Sequence, residues 1–430
     1  MTEIERISLE PVDALSVTVL MDNVIDMLLV DEGPARRPVI GSGPRVPAAV
    51  LDLGETFDAL RAEHGFSALV SVVRGGREHR LLFDTGISPD GLVENMRRLE
   101  LSPRDVEAVV LSHGHFDHVG GMDGLVRELG PANLPVVIHP EAWSRRRLAL
   151  PGREPVEIAA PSRSALEGAG FEVIEQRDPS FLFDRSLLVT GEVDRTTEFE
   201  QGLAPSHQAH HRGVWRPDPL VLDDQALVAD VRGKGLVVLT GCGHAGVVNT
   251  LRYVRKLTGR AHLHAVIGGF HLSGRHFEPL IGPTCDAFAE LAPDFLVPAH
   301  CTAGRPHMRS RPVSRTPSCR PASARASPFR APTQRHNSLT PRAPFSAELT
   351  DRQSGPAHLG QGDSGRAVPR CCYPCKARGR ATSQCGGGPL APSPEARRAC
   401  CSGCLPAVSY ARLHASRPRA RRPIALHATF

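Results

Sequence analysis

Long hydrophobic runs are missing from this sequence. Nowhere in its 430 residues do about 18 apolar residues follow one another, so no membrane span and no membrane partner are expected. The opening stretch, Met1-Thr-Glu-Ile-Glu-Arg-Ile-Ser-Leu-Glu10, is charged and has no apolar segment of the kind a signal peptide carries. Cysteine is scarce through the first 302 residues, which hold only Cys242, Cys285 and Cys301. Three scattered thiols make no disulfide framework and suit a reducing compartment. The expectation is a soluble, cytoplasmic protein.

Acidic residues are scarce in the other part of the chain. Residues 303–430 have a balance of +18, with Glu348, Asp351, Asp363 and Glu395 as their acids, whereas residues 1–302 stand at −13. The overall +5 is therefore a sum of two opposite halves. Beyond about residue 304, Arg, Pro, Ser and Ala dominate, apolar periodicity stops, and five aromatics occur in 128 residues. Such a composition buries too little apolar surface to offset the entropy of ordering it. Residues 305–430 are expected to form a disordered basic tail. The abrupt change also fits a shift of reading frame in a GC-rich gene, whose misread codons give Arg, Pro, Ala, Ser, Gly and Cys.

The first 300 residues have a different grammar. Short apolar runs predict strands at Leu15–Leu20, Ser67–Val73, Arg80–Phe83, Val106–Leu111, Leu134–His139, Ser186–Thr190, Ala226–Val231, Gly235–Thr240 and His262–Ile267. Helical spacing marks Gly91–Leu101, Met122–Leu129, Val247–Leu257 and Thr284–Leu291, with Gly, Pro and Asp at the junctions. Strands first and a helix-separated set afterwards predict a layered α/β domain over 1–304.

One segment carries chemistry: Leu111-Ser-His-Gly-His-Phe-Asp-His-Val-Gly-Gly121. It follows a buried strand and precedes a helix. Alternate residues His113 and His115 can point two imidazoles at one metal, while Asp117 and His118 face a second position. Imidazole with carboxylate suits Zn²⁺, Fe or Mn. Gly114 removes a Cβ from the turn, and Gly120-Gly121 lets the next helix pack close.

His113-Gly-His-Phe-Asp-His118 resembles the signature of the metallo-β-lactamase superfamily. Further segments are similar to the branch of dihydropterin–ribofuranosylaminobenzene-phosphate synthase. They include Thr18-Val-Leu-Met-Asp-Asn23, Ala62-Glu-His-Gly-Phe-Ser-Ala68, Leu82-Phe-Asp-Thr-Gly86 and Asp223-Asp-Gln-Ala-Leu227. Val238-Leu-Thr-Gly-Cys-Gly-His-Ala-Gly246, Val266-Ile-Gly-Gly-Phe-His-Leu272 and Pro298-Ala-His-Cys-Thr302 extend the resemblance over about 15–304. The resemblance implies an αββα sandwich with one or two divalent ions at one edge. It implies that His244 joins His113 and His115, that His300 joins Asp117 and His118, and that Asp84 supports the ligands from behind. Many relatives place a bridging Asp after the strand where this chain has Cys242, so either the thiolate binds metal or the bridge is absent. His271 faces the site as substrate contact or proton donor, or packs in the core. The branch continues past its His-Cys-Thr-Gly with a helix and a last strand, expected to cover the second sheet. Here Ala303 interrupts that string.

These ligands imply a metal-dependent hydrolase. A metal-bound hydroxide oriented by Asp117 would attack an ester, phosphoester or related bond of a small molecule, and His271 would protonate the leaving group. The branch's namesake joins an aromatic ring to a pterin carbon, so a non-hydrolytic synthase is the alternative. An inactive truncated product is a third reading. In the tail, Cys372-Tyr-Pro-Cys375 and Cys401-Ser-Gly-Cys404 imitate a zinc ribbon, and Arg417-Pro-Arg-Ala-Arg-Arg422 imitates a nucleic-acid contact. Neither has a surrounding fold pattern, and nucleic acid is not expected as a partner.

Overall fold

The computed structural model describes residues 7–41, 43–302 and 426–430. The described chain is layered α/β/β/α, and strand alternation shows why. Along Gly235–Thr240, Val237 and Leu239 enter the core between two sheets, while Leu236 and Val238 enter a core beneath helices. Along Ser67–Arg74, Ala68, Val70 and Val72 face the inter-sheet core and Leu69 faces away. Side chains of a strand alternate faces, so a strand apolar on both faces needs a cover on each.

The first sheet has eight strands, in the spatial order Glu172–Glu175, Pro135–Ile138, Ala108–Val110, Arg77–Phe83, Ser67–Arg74, Ala14–Met21, His427–Thr429 and Ala35–Arg36. Helices Gly91–Arg98, Met122–Leu129 and Arg163–Gly168 follow the sequence around its outer face, where Leu92, Met96, Leu125 and Leu166 are buried with Leu82 and Val136. The second sheet has six strands: Ser180–Leu182, Leu187–Val189, Leu227–Val231, Gly235–Thr240, Leu263–Gly268 and Phe295–Pro298. Helices Val247–Thr258 and Ile281–Leu291 cover it with Val248, Leu251 and Phe288. A smaller four-stranded sheet, Val156–Ile158, Arg146–Leu148, His207–His211 and Val214–Pro217, was not foreseen, because its short, histidine- and arginine-rich strands have no apolar alternation.

The boundary expected at 304 needs a correction. Leu426–Phe430 belong to the domain, as the antiparallel neighbour of Ala14–Met21, with Thr429 opposite Ser16 and His427 opposite Thr18. Phe430 N–H donates to Leu15 O at 2.7 Å, Leu15 N–H donates to Phe430 O at 3.2 Å, and Val19 N–H donates to Leu426 O at 2.8 Å. Ala428 and Phe430 are buried in the inter-sheet core. The reason is the unpaired edge that Ala14–Met21 would otherwise present, together with the one apolar face in His427-Ala-Thr-Phe430. A last strand therefore exists, but in the first sheet rather than over the second. The rest of the expected tail, including both Cys-x-x-Cys pairs and the Arg-rich run, lies outside the described residues.

Among the described residues no helix is long and apolar enough to cross a membrane.

Candidate metal centre

Strand ends of both sheets converge on one edge of the sandwich. Ala108–Val110 delivers Leu111-Ser-His-Gly-His, and Gly235–Thr240 delivers Gly241-Cys-Gly-His244. Leu263–Gly268 delivers Gly269-Phe-His271, and Phe295–Pro298 delivers Ala299-His300. Close approach depends on glycine: a Cβ at Gly114 would lie 2.2 Å from Ala142 O, and one at Gly120 would lie 1.9 Å from Ile87 O. Asp84, His271 and His300 all hold positive φ, 61°, 47° and 49°. Such backbone costs of order 1–3 kcal/mol per residue and persists where surroundings over-determine it.

Three ring nitrogens meet at the first position. His113 Nε2 lies 3.0 Å from His115 Nδ1, which lies 3.1 Å from His244 Nε2. The proton positions follow from the partners behind the rings. Ser112 Oγ donates to Asp84 Oδ2 at 2.7 Å, so its lone pair is left to accept from His113 Nδ1 at 2.9 Å. His207 Nδ1 donates to the Asp218 carbonyl at 2.8 Å, so His207 Nε2 accepts from His115 Nε2 at 3.0 Å. Both tautomers leave bare lone pairs facing each other across 3.0 Å. Burial, with the neighbouring imidazoles and, for His113 and His115, Arg146, holds all three well below the usual histidine range, so none takes up a second proton to fill the gap. Such an arrangement repels itself unless a cation sits between the nitrogens. Cis donors on a 2.0–2.1 Å coordination sphere lie about 2.9–3.4 Å apart, the spacing observed.

The second position has a mixed donor set. Asp117 Oδ2 lies 3.8 Å from His118 Nε2 and 3.4 Å from His300 Nε2, and Cys242 Sγ is 3.2 Å from each of those nitrogens. Asp84 Oδ2 accepts from His118 Nδ1 at 2.7 Å, while Asp84 Oδ1 accepts from Ser112 N–H at 2.6 Å. One carboxylate thus orients His118 directly and His113 through Ser112. Asn23 Oδ1 accepts from Gly65 N–H at 3.1 Å and from His300 Nδ1 at 2.9 Å, and Asp22 Oδ1 holds the His300 N–H at 2.7 Å. Cys242 Sγ belongs to both donor groups, within 4.8 Å of every other ligand atom in each. Burial pushes its thiol well above the usual range, so only an adjacent cation makes it a thiolate. His118 behaves oppositely. Burial disfavours its charge, but the Asp84 and Asp117 carboxylates outweigh that and push it up to about 9.

All the histidines, aspartates and the cysteine singled out from the sequence are brought together here. His271 lies at the rim: its ring centre is 4.3 Å from that of His244, and its Nδ1 is buried without a hydrogen-bond partner. It lines a small, open recess with Gly243, Phe270, Leu272 and Phe277. Several residues escaped the sequence reading. His64 is 62 % exposed, with Nε2 3.4 Å from Asp117 Oδ2. Asn23 Nδ2 donates to His64 Nδ1 at 3.1 Å, which leaves the Nε2 proton aimed at Asp117. Asp223 Oδ2 accepts from Gly114 N–H at 2.8 Å and is paired with buried Arg146, bracing the His113–His115 turn. Asp22, Asn23, His64 and Asp223 lie in segments that already resembled the branch, so their signal was present without a role. His207 had no signal beyond a histidine-rich short strand.

A profile of the metallo-β-lactamase superfamily matches residues 65–255. A 7,8-dihydropterin-6-methyl-4-(β-D-ribofuranosyl)-aminobenzene-5′-phosphate synthase of Methanocaldococcus jannaschii is 28% identical over 245 residues, 56% of this chain and 81% of that protein. An uncharacterized protein of the same organism is 32% identical over 243 residues, 56% of this chain and 84% of its own length. A solved structure described as a metal-dependent hydrolase of the β-lactamase superfamily, Tm1679, is 26% identical, covers 68% of this chain and 90% of its own, and superposes with a TM-score of 0.47. With the αββα layering and the His-x-His-x-Asp-His edge loop in place, the chain belongs to the metallo-β-lactamase superfamily.

Proposed function

We propose that this protein is a metal-dependent hydrolase acting on an ester, phosphoester or related bond of a small molecule. The observation that carries the reading is the meeting of ring nitrogens of His113, His115 and His244, the first two with bare lone pairs, beside the donor set Asp117, His118, Cys242 and His300. The first three would hold one divalent ion, Zn²⁺ in preference, with Fe or Mn as the other candidates; the second four would hold another, with Cys242 Sγ shared. When bound, such ions polarise the electrophilic oxygen and acidify water from 15.7 toward about 7.

The chain's own groups do the rest. Asp117 Oδ2 accepts a proton or orients the attacking water, with His64 Nε2–H fixing its direction from the open side. His271, whose buried Nδ1 has no partner, is placed to donate to a leaving group in the recess. Phe270, Leu272 and Phe277 supply an apolar wall for the substrate's non-reacting part.

Similarity to the pterin-related synthase favours a second reading, a non-hydrolytic condensation in the same site. Protein purified without chelator and supplied in turn with Zn²⁺, Fe²⁺ and Mn²⁺ should turn over a chromogenic ester or phosphodiester, and Asp117→Ala should lose at least tenfold. Heavy-oxygen water separates the readings: hydrolysis puts solvent oxygen into the product, and condensation does not. Equal activity after complete removal of metal would sink both.

A further inference from the structure

A second cluster of metal-type donors lies at the far end of the second sheet. Its strands Leu263–Gly268 and Phe295–Pro298 run parallel, with their last residues at the catalytic edge, and Ala265 pairs with Phe295. His264 and Asp294 therefore come together at the opposite end, and His262, two residues before His264, shares its face. At ~3.3 Å per residue, His262 is roughly 20 Å from Gly268 along the strand.

Asp294 Oδ2 is 2.8 Å from His264 Nδ1 and 3.0 Å from His262 Nε2. Two ring nitrogens and one carboxylate oxygen, all within 4.8 Å of one another, form a tripod. Donors 2.8–3.0 Å apart match adjacent corners of a six-coordinate or tetragonal sphere, about 2.9 Å for bonds of 2.0–2.1 Å.

The tripod is held in place rather than loosely exposed. Gly235, at φ +108°, has no side chain where a Cβ would come 2.6 Å from His262 Cδ2, so the ring seats on bare backbone. Leu236 N–H donates to His262 O at 3.0 Å. The His264 ring stands edge-on to Phe295 and Phe430, with centroids 5.3 and 5.5 Å away. His264 is the least exposed member, with 12 % of its side chain open, while the His262 side chain is 58 % and the Asp294 side chain 41 % exposed, which leaves one side open to water.

We propose that His262, His264 and Asp294 form a second, solvent-open binding site for a divalent transition-metal ion of the Zn²⁺, Ni²⁺ or Cu²⁺ class, separate from the catalytic edge. Each imidazole binds as the neutral base, the carboxylate closes the tripod, and water fills the remaining positions. The ion fastens the start of one strand to the start of its neighbour, beside the buried Phe430 ring.

The test is equilibrium dialysis of the full chain against stepped free Zn²⁺, with bound metal counted by elemental analysis in wild type, His262→Ala and Asp294→Asn. The wild type should bind one ion more per chain than either variant, while both variants keep the interior ions and any turnover they support. Cu²⁺ added to the zinc-loaded wild type should give an electron paramagnetic resonance spectrum with hyperfine splitting from two imidazole nitrogens, altered in His262→Ala. Equal stoichiometry across all three proteins would overturn the proposal. Turnover that persists in protein stripped of its interior ions would count against the hydrolase reading instead.

Discussion

The rings of His113, His115, His118 and His300 are each aimed by a partner behind them, so removing a partner should loosen an ion without deleting a ligand. His207→Ala takes away the acceptor that fixes the His115 proton on Nε2. Affinity for the first cation is expected to fall ~10–100-fold, read by competition with a chelating dye, with the fold intact. His118 gives a pH dependence. Its folded value of about 9 stands above the ordinary 6.5, so the proton stays on at pH 7.5 and must leave when a cation takes Nε2. Zn²⁺ affinity of chelator-stripped protein should therefore climb with pH until about 9. Calorimetry in two buffers of different ionisation heat should show proton release, reduced in Asp84→Asn; buffer-independent heats would contradict the assignment. The stability that charged His118 lends the metal-free chain is full below about pH 6.5 and lost as pH rises through 9. At this scale His113, His115, Asp117 and His118 were legible because adjacent spacing encodes one loop. His207 and Asn23 were not, since they reach the site only through folding across 92 and 277 residues.

At the level of elements, the apolar runs of the first 300 residues became strands with small changes at their ends, and Gly235–Thr240 and Met122–Leu129 kept their expected bounds. Buried parallel strands advertise themselves because both faces must be apolar. The four-stranded side sheet and the C-terminal strand gave no such signal, being short and half polar. The C-terminal strand can be tested directly. Phe430 is 3% exposed in the inter-sheet core. Phe430→Ala should cost about 3 kcal/mol, as buried Phe truncations do, and lower the melting temperature by roughly 6 °C or more. An unchanged melting temperature would mean the strand does not hold in solution.

Across the whole molecule, the two sheets meet over one apolar core, and the candidate catalytic ions would sit where four strand ends from both sheets converge. Ions bound there cross-link the sheets. Stripping them should lower the melting temperature by about 5–10 °C, taking ~2.7 kcal/mol for a ligand at a hundredfold over its dissociation constant and 2–4 °C per kcal/mol for a larger domain. Differential scanning calorimetry with and without chelator decides it. The opposite charges of the two parts were legible from composition, whereas the return of residues 426–430 was not, because a three-residue strand is specified by the edge it meets.

That return sets an order of events during synthesis. Ala14–Met21 is made long before its neighbour on one side, which follows only after residue 425. At roughly 5–20 residues per second, the 123 residues between Thr302 and Leu426 take about 6–25 s to translate. Throughout that interval Ala14–Met21 is without its Leu426–Phe430 partner. The chain therefore has a window in which chaperones, or a second nascent copy, compete with its own returning strand for the same backbone hydrogen bonds.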